Sequence, residues 1–111
     1  MGYYINSTVT IKAPNKTISD LIYEEIKTNI MKNYNDFTSD DLYINDAEDI
    51  VFRTICYEDY EELLVKYSDI FKNQVFQSTY YCPDAAGISI QELEYENGHV
   101  TVVREIEETY F

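Results

Sequence analysis

Residues 88–110 read ISIQELEYENGHVTVVREIEETY, and the Asn97-Gly98 pair at their centre predicts a β-hairpin. Asn-Gly between segments of alternating apolar and polar residues is the strongest local signal for a two-residue hairpin loop, because both residues tolerate the positive φ angles of that turn. Such a loop pairs Glu96 with His99 and sets the register of everything beyond it. The core face that this register predicts consists of Leu93, Tyr95, Val100 and Val102.

The same register predicts a row of glutamates on the opposite face of the hairpin. These residues are Glu92, Glu94 and Glu96 on the first strand and Glu105 and Glu107 on the second. Alternate residues of a strand lie about 6.6–6.8 Å apart, a spacing of the same order as that of successive phosphates in a nucleic-acid strand. His99 is the only potential cation expected on this face, so the carboxylates would repel one another without local relief. A solvated face that maintains solubility and discourages edge pairing would carry the same pattern.

Upstream of the hairpin, the hydrophobic periodicity predicts the order β-α-β-β-α-β. Alternation predicts a strand from Tyr3 to Lys12, and an apolar stripe predicts a helix that is capped by Thr17 or Ser19 and ends near Asn33. Further strands are predicted over 41–45, 50–56 and 75–82, with a second helix whose apolar stripe runs through residues 60–71. The order resembles the α+β, ferredoxin-like split arrangement of an antiparallel sheet with two helices on one face. We expect the C-terminal hairpin to extend that sheet, with folding over it as the alternative.

Composition indicates a folded and strongly acidic chain. The 111 residues suit a single domain covering 1–111. Their 45% hydrophobic content is too high for a disordered acidic tail. The chain has 21 acidic and 8 basic residues. Residues 1–33 contain three acidic and four basic residues, whereas residues 34–111 contain 18 acidic and four basic residues and so carry a net charge of −14. A chain of net charge −13 lacks the basic footprint that direct nucleic-acid binding needs.

The motifs of catalysis and cofactor binding are missing from the sequence. Three glycines cannot make a phosphate-binding loop, and no Gly-x-Ser-x-Gly elbow is present. His99 is the only histidine, and Cys56 and Cys82 are interpreted as buried free thiols. We therefore expect no enzyme activity, no cofactor and no metal. No apolar run approaches the length of a membrane span and no secretory leader is visible, so the cytoplasm of a bacterial host cell is the expected location.

Two further groups are candidates for binding a partner. Asp46, Glu48 and Asp49 fall in a predicted loop and add to the negative field. Tyr80 and Tyr81 are adjacent on a predicted strand, so one of them must point away from the core. Tyrosine is enriched at protein interfaces, where it anchors an apolar contact with one polar end.

These features favour a small acidic inhibitor that binds a basic nucleic-acid-handling protein, such as a nuclease or a CRISPR effector, and occludes its nucleic-acid surface. In size, charge and missing chemistry the chain looks like the functional type of phage anti-defence proteins, including anti-CRISPR inhibitors, and of nuclease-toxin immunity proteins. Its carboxylates would act as a nucleic-acid mimic, competing for Lys and Arg side chains. The alternative is a ferredoxin-like module that self-associates as a homodimer and binds a small ligand or serves as a scaffold.

Overall fold

The chain adopts a mixed α+β fold in the computed structural model, which describes residues 7–30, 41–54, 58–84 and 87–109. The strands are β1 (Ser7–Lys12), β2 (Leu42–Ile44), β3 (Ile50–Thr54), β4 (Phe76–Asp84), β5 (Gly87–Glu96) and β6 (His99–Thr109). The helices are α1 (Lys16–Glu25), which continues into a π-helical turn (Ile26–Ile30), and α2 (Glu58–Ile70).

The six strands form one open antiparallel sheet in the order β2-β3-β1-β4-β5-β6. β1 lies inside the sheet, where Val9 is opposite Phe52 of β3 on one side and Tyr80 of β4 on the other. The α+β class and the antiparallel sheet are confirmed, and β5 and β6 extend the sheet beyond β4 instead of folding over it. The finer ferredoxin-like assignment of the first six elements remains a prediction.

The core lies between one face of the sheet and the two helices. Val9 and Ile11 of β1 are fully buried, because alternate residues of a strand point to the same face. Ile18, Ile22 and Ile26 belong to the same cluster and follow one another at helical spacing. The other fully or nearly fully buried members of this cluster are Leu42, Ile50, Phe52, Tyr60, Leu64, Phe76, Leu93 and Tyr95.

The first helix begins earlier than the sequence predicts. Its N-cap is Asn15, whose side-chain oxygen accepts a hydrogen bond from the backbone N–H of Ile18 at 3.0 Å. The predicted caps Thr17 and Ser19 are wrong because both lie inside the helix, where the N–H of Ser19 already donates to the carbonyl of Asn15. The predicted end near Asn33 lies outside the described residues.

The remaining expectations concern the cysteines, the N-terminal tyrosines and the apolar stripes of the helices. Cys82 is a free, half-buried thiol, whereas Cys56 and the tyrosines at positions 3 and 4 lie outside the described residues. Apolar spacing places Leu21 on the stripe of α1 and Ile70 on that of α2, but both side chains are exposed. None of the helices in the described residues has the length and apolar composition needed to cross a membrane.

Candidate partner-binding surface

The predicted hairpin is present, and its turn is tied to the end of α2. Asn97 and Gly98 have φ angles of 52° and 82°, as a tight two-residue hairpin turn requires. The side-chain oxygen of Asn97 accepts a hydrogen bond from the backbone N–H of Asn73 at 2.8 Å. The N–H of Gly98 donates to the hydroxyl of Ser68, a buried residue of α2, at 3.0 Å. The hairpin is thereby held at its tip as well as along β4.

The register of the hairpin changes partway along β6. The predicted pairing holds from the turn to Leu93, which lies opposite Val102. At the next position a β-bulge places Arg104, instead of the predicted Val103, opposite Glu92. Because side chains alternate with a period of two, one extra residue moves every later side chain of β6 to the other face of the sheet.

The bulge divides the predicted acidic row between the two faces of the sheet. Glu105 and Glu107 lie opposite Gln91 and Ser89, on the face that carries Leu93. The prediction that they share a face with the three glutamates of β5 is therefore wrong. The β6 residues that do share the face of Glu92 after the bulge are Arg104, Ile106 and Glu108.

Two of the β5 glutamates have partners on their own face. A guanidinium nitrogen of Arg104 donates to the Glu92 carboxylate at 2.9 Å, and the side-chain amide of Gln77 donates to Glu94 at 3.3 Å. The expectation that His99 would be the only potential cation on this face is therefore wrong. The hairpin over residues 87–109 still carries six glutamates and one arginine, a net charge of −5 with His99 neutral.

The predicted core face is confirmed on β5 and wrong on β6. Leu93 is 4% exposed and Tyr95 is fully buried, whereas their partners Val102 and Val100 are 55% and 51% exposed. Val103 at the bulge is exposed to a similar extent. The layer that covers the sheet thus ends at β5, and β6 projects beyond it.

The two candidate tyrosines point to opposite faces of β4, as predicted. Tyr80 packs against the core and shares a 2.8 Å hydrogen bond with the hydroxyl of Ser7. Tyr81 is exposed on the other face, in a row with Ile90 and Ile106 on the neighbouring strands. Of the pair, only Tyr81 is placed to contact a partner without a change in the core.

The candidate loop acids lie at the other end of the strand order. Asp46, Glu48 and Asp49 occupy the β2–β3 turn, whereas the hairpin is the opposite edge of the sheet. Glu48 and Asp49 line a groove of about 320 Å³ together with Lys12 and Lys16. The structure therefore does not bring these acids together with the hairpin, and lysines offset part of their charge.

Buried tyrosines connect the turn end of the hairpin to the core. The hydroxyls of Tyr95 and Ser78 are 2.9 Å apart and hydrogen-bonded, whereas the hydroxyl of Tyr60 has no hydrogen-bond partner among the described residues. Burial raises the pKa of both tyrosines above its usual value. Both hydroxyls are therefore neutral near pH 7, and their role is in packing.

The features that the prediction missed are the bulge and the exposure of β6. A signal for the bulge is present in the sequence, because Val102 and Val103 are adjacent apolar residues that interrupt the alternation of Val100, Thr101 and Val102. A bulge adds one residue to one strand and so shifts the alternation by one position at that point. The exposure of the β6 valines has no such signal, since it depends on how far the helices reach across the sheet.

Neither a metal site nor a known relative guides the functional assignment. Within the part of the chain that the structure describes, no three His, Cys, Asp or Glu residues group in a way that could hold a metal ion. Comparisons with protein-family models, with curated proteins and with solved structures yield no match.

Proposed function

We propose that this protein is a small acidic inhibitor that binds a basic nucleic-acid-handling protein and occludes its nucleic-acid surface. The observation that supports the proposal is the C-terminal hairpin, which carries six glutamates and one arginine and is held by hydrogen bonds at its tip. Phage anti-defence, for example against a CRISPR effector, and immunity to a nuclease toxin are the two settings in which such an inhibitor acts. Both place it in the cytoplasm of a bacterial cell.

The hairpin would act as a nucleic-acid mimic through charge. Glu96 is exposed on one face of the sheet, beside the half-buried Glu94, and Glu105 and Glu107 are exposed on the other. Carboxylates on both faces can engage Lys and Arg side chains that line two walls of a nucleic-acid groove. A net charge of −13 steers the chain toward such a groove and speeds association. Binding alone accounts for inhibition, so no catalytic step and no cofactor is part of the proposal.

We infer that the scaffold of this hairpin is a ferredoxin-like split β-α-β-β-α-β unit. Support comes from the antiparallel pairing of β1 with both β3 and β4, and from the position of β2 outside β3. The two helices follow β1 and β3 in the chain, as that arrangement requires. The hairpin is then an addition at the β4 side of the unit.

A second candidate function is favoured by the exposed valines of β6. A long edge strand with apolar side chains is a template for pairing with another copy of the same chain. A self-associating scaffold would use that edge, and the groove beside Lys12 and Glu48 would take a small ligand. Sedimentation at increasing concentration separates the two functions, because a scaffold self-associates and an acidic inhibitor of a basic partner stays monomeric.

A salt-dependent pull-down from bacterial lysate tests the inhibitor proposal. The tagged protein is expected to recover a nuclease or CRISPR effector at low salt and to lose it as salt rises, because screening weakens charge pairing. Reversing three hairpin charges with Glu92→Lys, Glu94→Lys and Glu96→Lys is expected to abolish recovery.

The β2–β3 turn supplies the matched control for that experiment. The triple variant Asp46→Lys, Glu48→Lys and Asp49→Lys changes the net charge by the same amount at the other edge of the sheet. It is expected to retain recovery of the partner, with folding of both triple variants verified by circular dichroism. If the hairpin variant binds as well as the wild type, the acidic surface is only a solvated face and the proposal is rejected.

A further inference from the structure

β6 is a long sheet edge whose usual protection is confined to its second half. It has eleven residues, of which all but Ile106 are exposed, and no strand of the described residues pairs with its outer side. Proteins commonly protect edges with short strands, with lysine or with proline. β6 contains neither lysine nor proline, and its other edge-protecting features, the bulge and the charged side chains of residues 104–108, all lie beyond Val102, so residues 99–102 have none of them.

The main-chain groups that face outward follow from the turn. In a two-residue hairpin, the pair that flanks the loop is hydrogen-bonded, and hydrogen-bonded and non-hydrogen-bonded pairs alternate from there. Glu96 and His99 are the flanking pair, so Val100 and Val102 occupy non-hydrogen-bonded positions. Their N–H and C=O groups therefore point away from β5, where an added strand can reach them.

The side chains along this edge change character at the bulge. On the face that carries Leu93, the edge presents Val100 and Val102 and then Glu105 and Glu107. On the other face the edge ends with Glu108. A complementary extended segment therefore carries two apolar side chains opposite Val100 and Val102 and two basic side chains, on the same face, opposite Glu105 and Glu107.

We propose that β6 binds an extended basic segment of its partner as a seventh strand of the sheet. Main-chain hydrogen bonds to the outward groups of β6 hold such a segment, and the alternating side chains select it. The valines supply an apolar contact at one half of the strand, and opposite charges pair across the other half. This inference rests on the proposed function, since it states how the basic partner is held.

Charge favours a basic foreign segment over a second copy of this chain. Two copies would each bring a net charge of −13 to the contact, and β6 itself carries three glutamates and one arginine. Like charges opposite one another destabilise strand pairing. A basic strand removes the repulsion that a second β6 would add.

Nuclear magnetic resonance on the ¹⁵N-labelled full chain tests strand addition without any natural partner. The probe is a capped synthetic peptide of eight residues in which, from the N-terminus, two lysines and then two valines occupy alternate positions, with threonine between them, as antiparallel pairing with β6 requires. Addition is expected to shift the amides of Val100 and Val102 most and to slow their exchange with solvent. A peptide with glutamate in place of lysine is expected to bind about tenfold more weakly or worse.

Proline variants of the two edges make the test specific. Val102→Pro removes an outward N–H, a change that edge strands tolerate because that donor is not part of the ladder. It is expected to weaken peptide binding by about tenfold or more. Ile44→Pro removes the equivalent donor from β2 and is the control, since Asn45 and Asp49 form the hydrogen-bonded pair next to it. The Ile44 variant is expected to bind the peptide as the wild type does.

The outcomes separate the two proposals. Equal binding by Val102→Pro, shifts confined to the Glu94 face, or a dimer of the free protein formed through β6 would each overturn strand addition. The exchange protection of the wild-type amides decides the matter even if the proline variant does not fold. Peptide capture at β6 without recovery of any nucleic-acid-handling protein from lysate rejects the proposed function alone. Recovery that Val102→Pro leaves intact rejects strand addition alone.

Discussion

The two edges of the sheet are built in opposite ways. β2 has three residues, Leu42 at its start is only 3% exposed, and the N–H of Arg53 donates to the carbonyl of Asp41 just outside the strand. β6 has eleven residues, and its side chains are exposed along almost its whole length. The β2 edge is held by packing in the core, whereas the β6 edge is held by main-chain pairing with β5 and by the hydrogen bonds of its turn. The β2 edge therefore contributes to stability, and the β6 edge is available for binding.

The strongest test of this difference between the two edges is to truncate one apolar side chain on each of them. Leu42→Ala removes buried methyl groups from the core and is expected to lower the free energy of unfolding by about 2–5 kcal/mol. Val102→Ala removes methyl groups that are already mostly in water, and about 0.5 kcal/mol or less is expected. Urea denaturation of both variants measures the difference. Equal losses would mean that β6 is packed as tightly as β2.

A substitution at Gly87, at the end of the hairpin that lies far from the turn, is expected to give the next largest loss of stability. A Cβ atom on Gly87 would clash with the backbone oxygen of Glu108, which leaves no room for any side chain. Gly87→Ala therefore requires the end of β6 to move, at a cost of about 1–3 kcal/mol.

Hydrogen exchange distinguishes local from general damage in that variant. The amides of β6 beyond the bulge are expected to lose protection, while those of β1 keep it, because the clash is with β6 alone. Loss of protection throughout the sheet would show that the β6 edge carries the stability of the whole fold, contrary to the comparison.

Local signals in the sequence predict the elements of this fold well. Asn97-Gly98 identifies the turn, and period-two alternation identifies β1 and β5, because these features depend on backbone preferences and on burial of one face. The candidate site is predicted less well. A single extra residue at Val103 moved Glu105 and Glu107 to the other face and brought Arg104 beside Glu92. Register beyond a bulge is a property of the paired strands, so one strand read alone does not determine it.

Exposure at the sheet edge was the other failure, and its cause is tertiary. Leu93 and Val102 are cross-strand partners with the same apolar character and would be assigned to the same core. Only Leu93 is covered, because the cover over the sheet ends at β5. Local periodicity identifies which face of a strand is apolar. It carries no information on how many strands of the sheet the helices cover.

Two buried tyrosines, Tyr95 near the turn of the hairpin and Tyr60 of α2, test how the hairpin is held against the core. Tyr95→Phe breaks the hydrogen bond between Tyr95 and Ser78, so a loss of about 0.5–1.5 kcal/mol is expected. Tyr60→Phe removes a hydroxyl that has no partner among the described residues, and unchanged or increased stability is expected. Thermal or urea denaturation compares the two. A larger loss of stability for Tyr60→Phe than for Tyr95→Phe would show that the hydroxyl of α2, and not that of β5, stabilises this part of the core.

The pH dependence of stability follows from the same tyrosines. Burial raises the pKa of Tyr95 above the 10.0 that it has when unfolded, so folding favours the neutral hydroxyl. Stability from this group is fully present below pH 10 and is lost as pH rises above it. The urea midpoint of the wild type is therefore expected to fall above pH 10, and that of Tyr95→Phe is expected to fall less steeply. Parallel curves would contradict this assignment.

The smallest effect is expected at the ion pair that the bulge creates. Arg104 and Glu92 are both partly exposed, so Arg104→Gln is expected to lower the free energy of unfolding by about 0–1 kcal/mol at low salt and by less at high salt. The same change removes the only lysine or arginine in the hairpin and makes its net charge −6. Association with a basic partner, or with the lysine peptide, is then expected to become faster although the fold is slightly weaker. Opposite signs for stability and association rate would show that the β6 edge is specialised for binding. Slower association would mean that Arg104 itself contacts the partner.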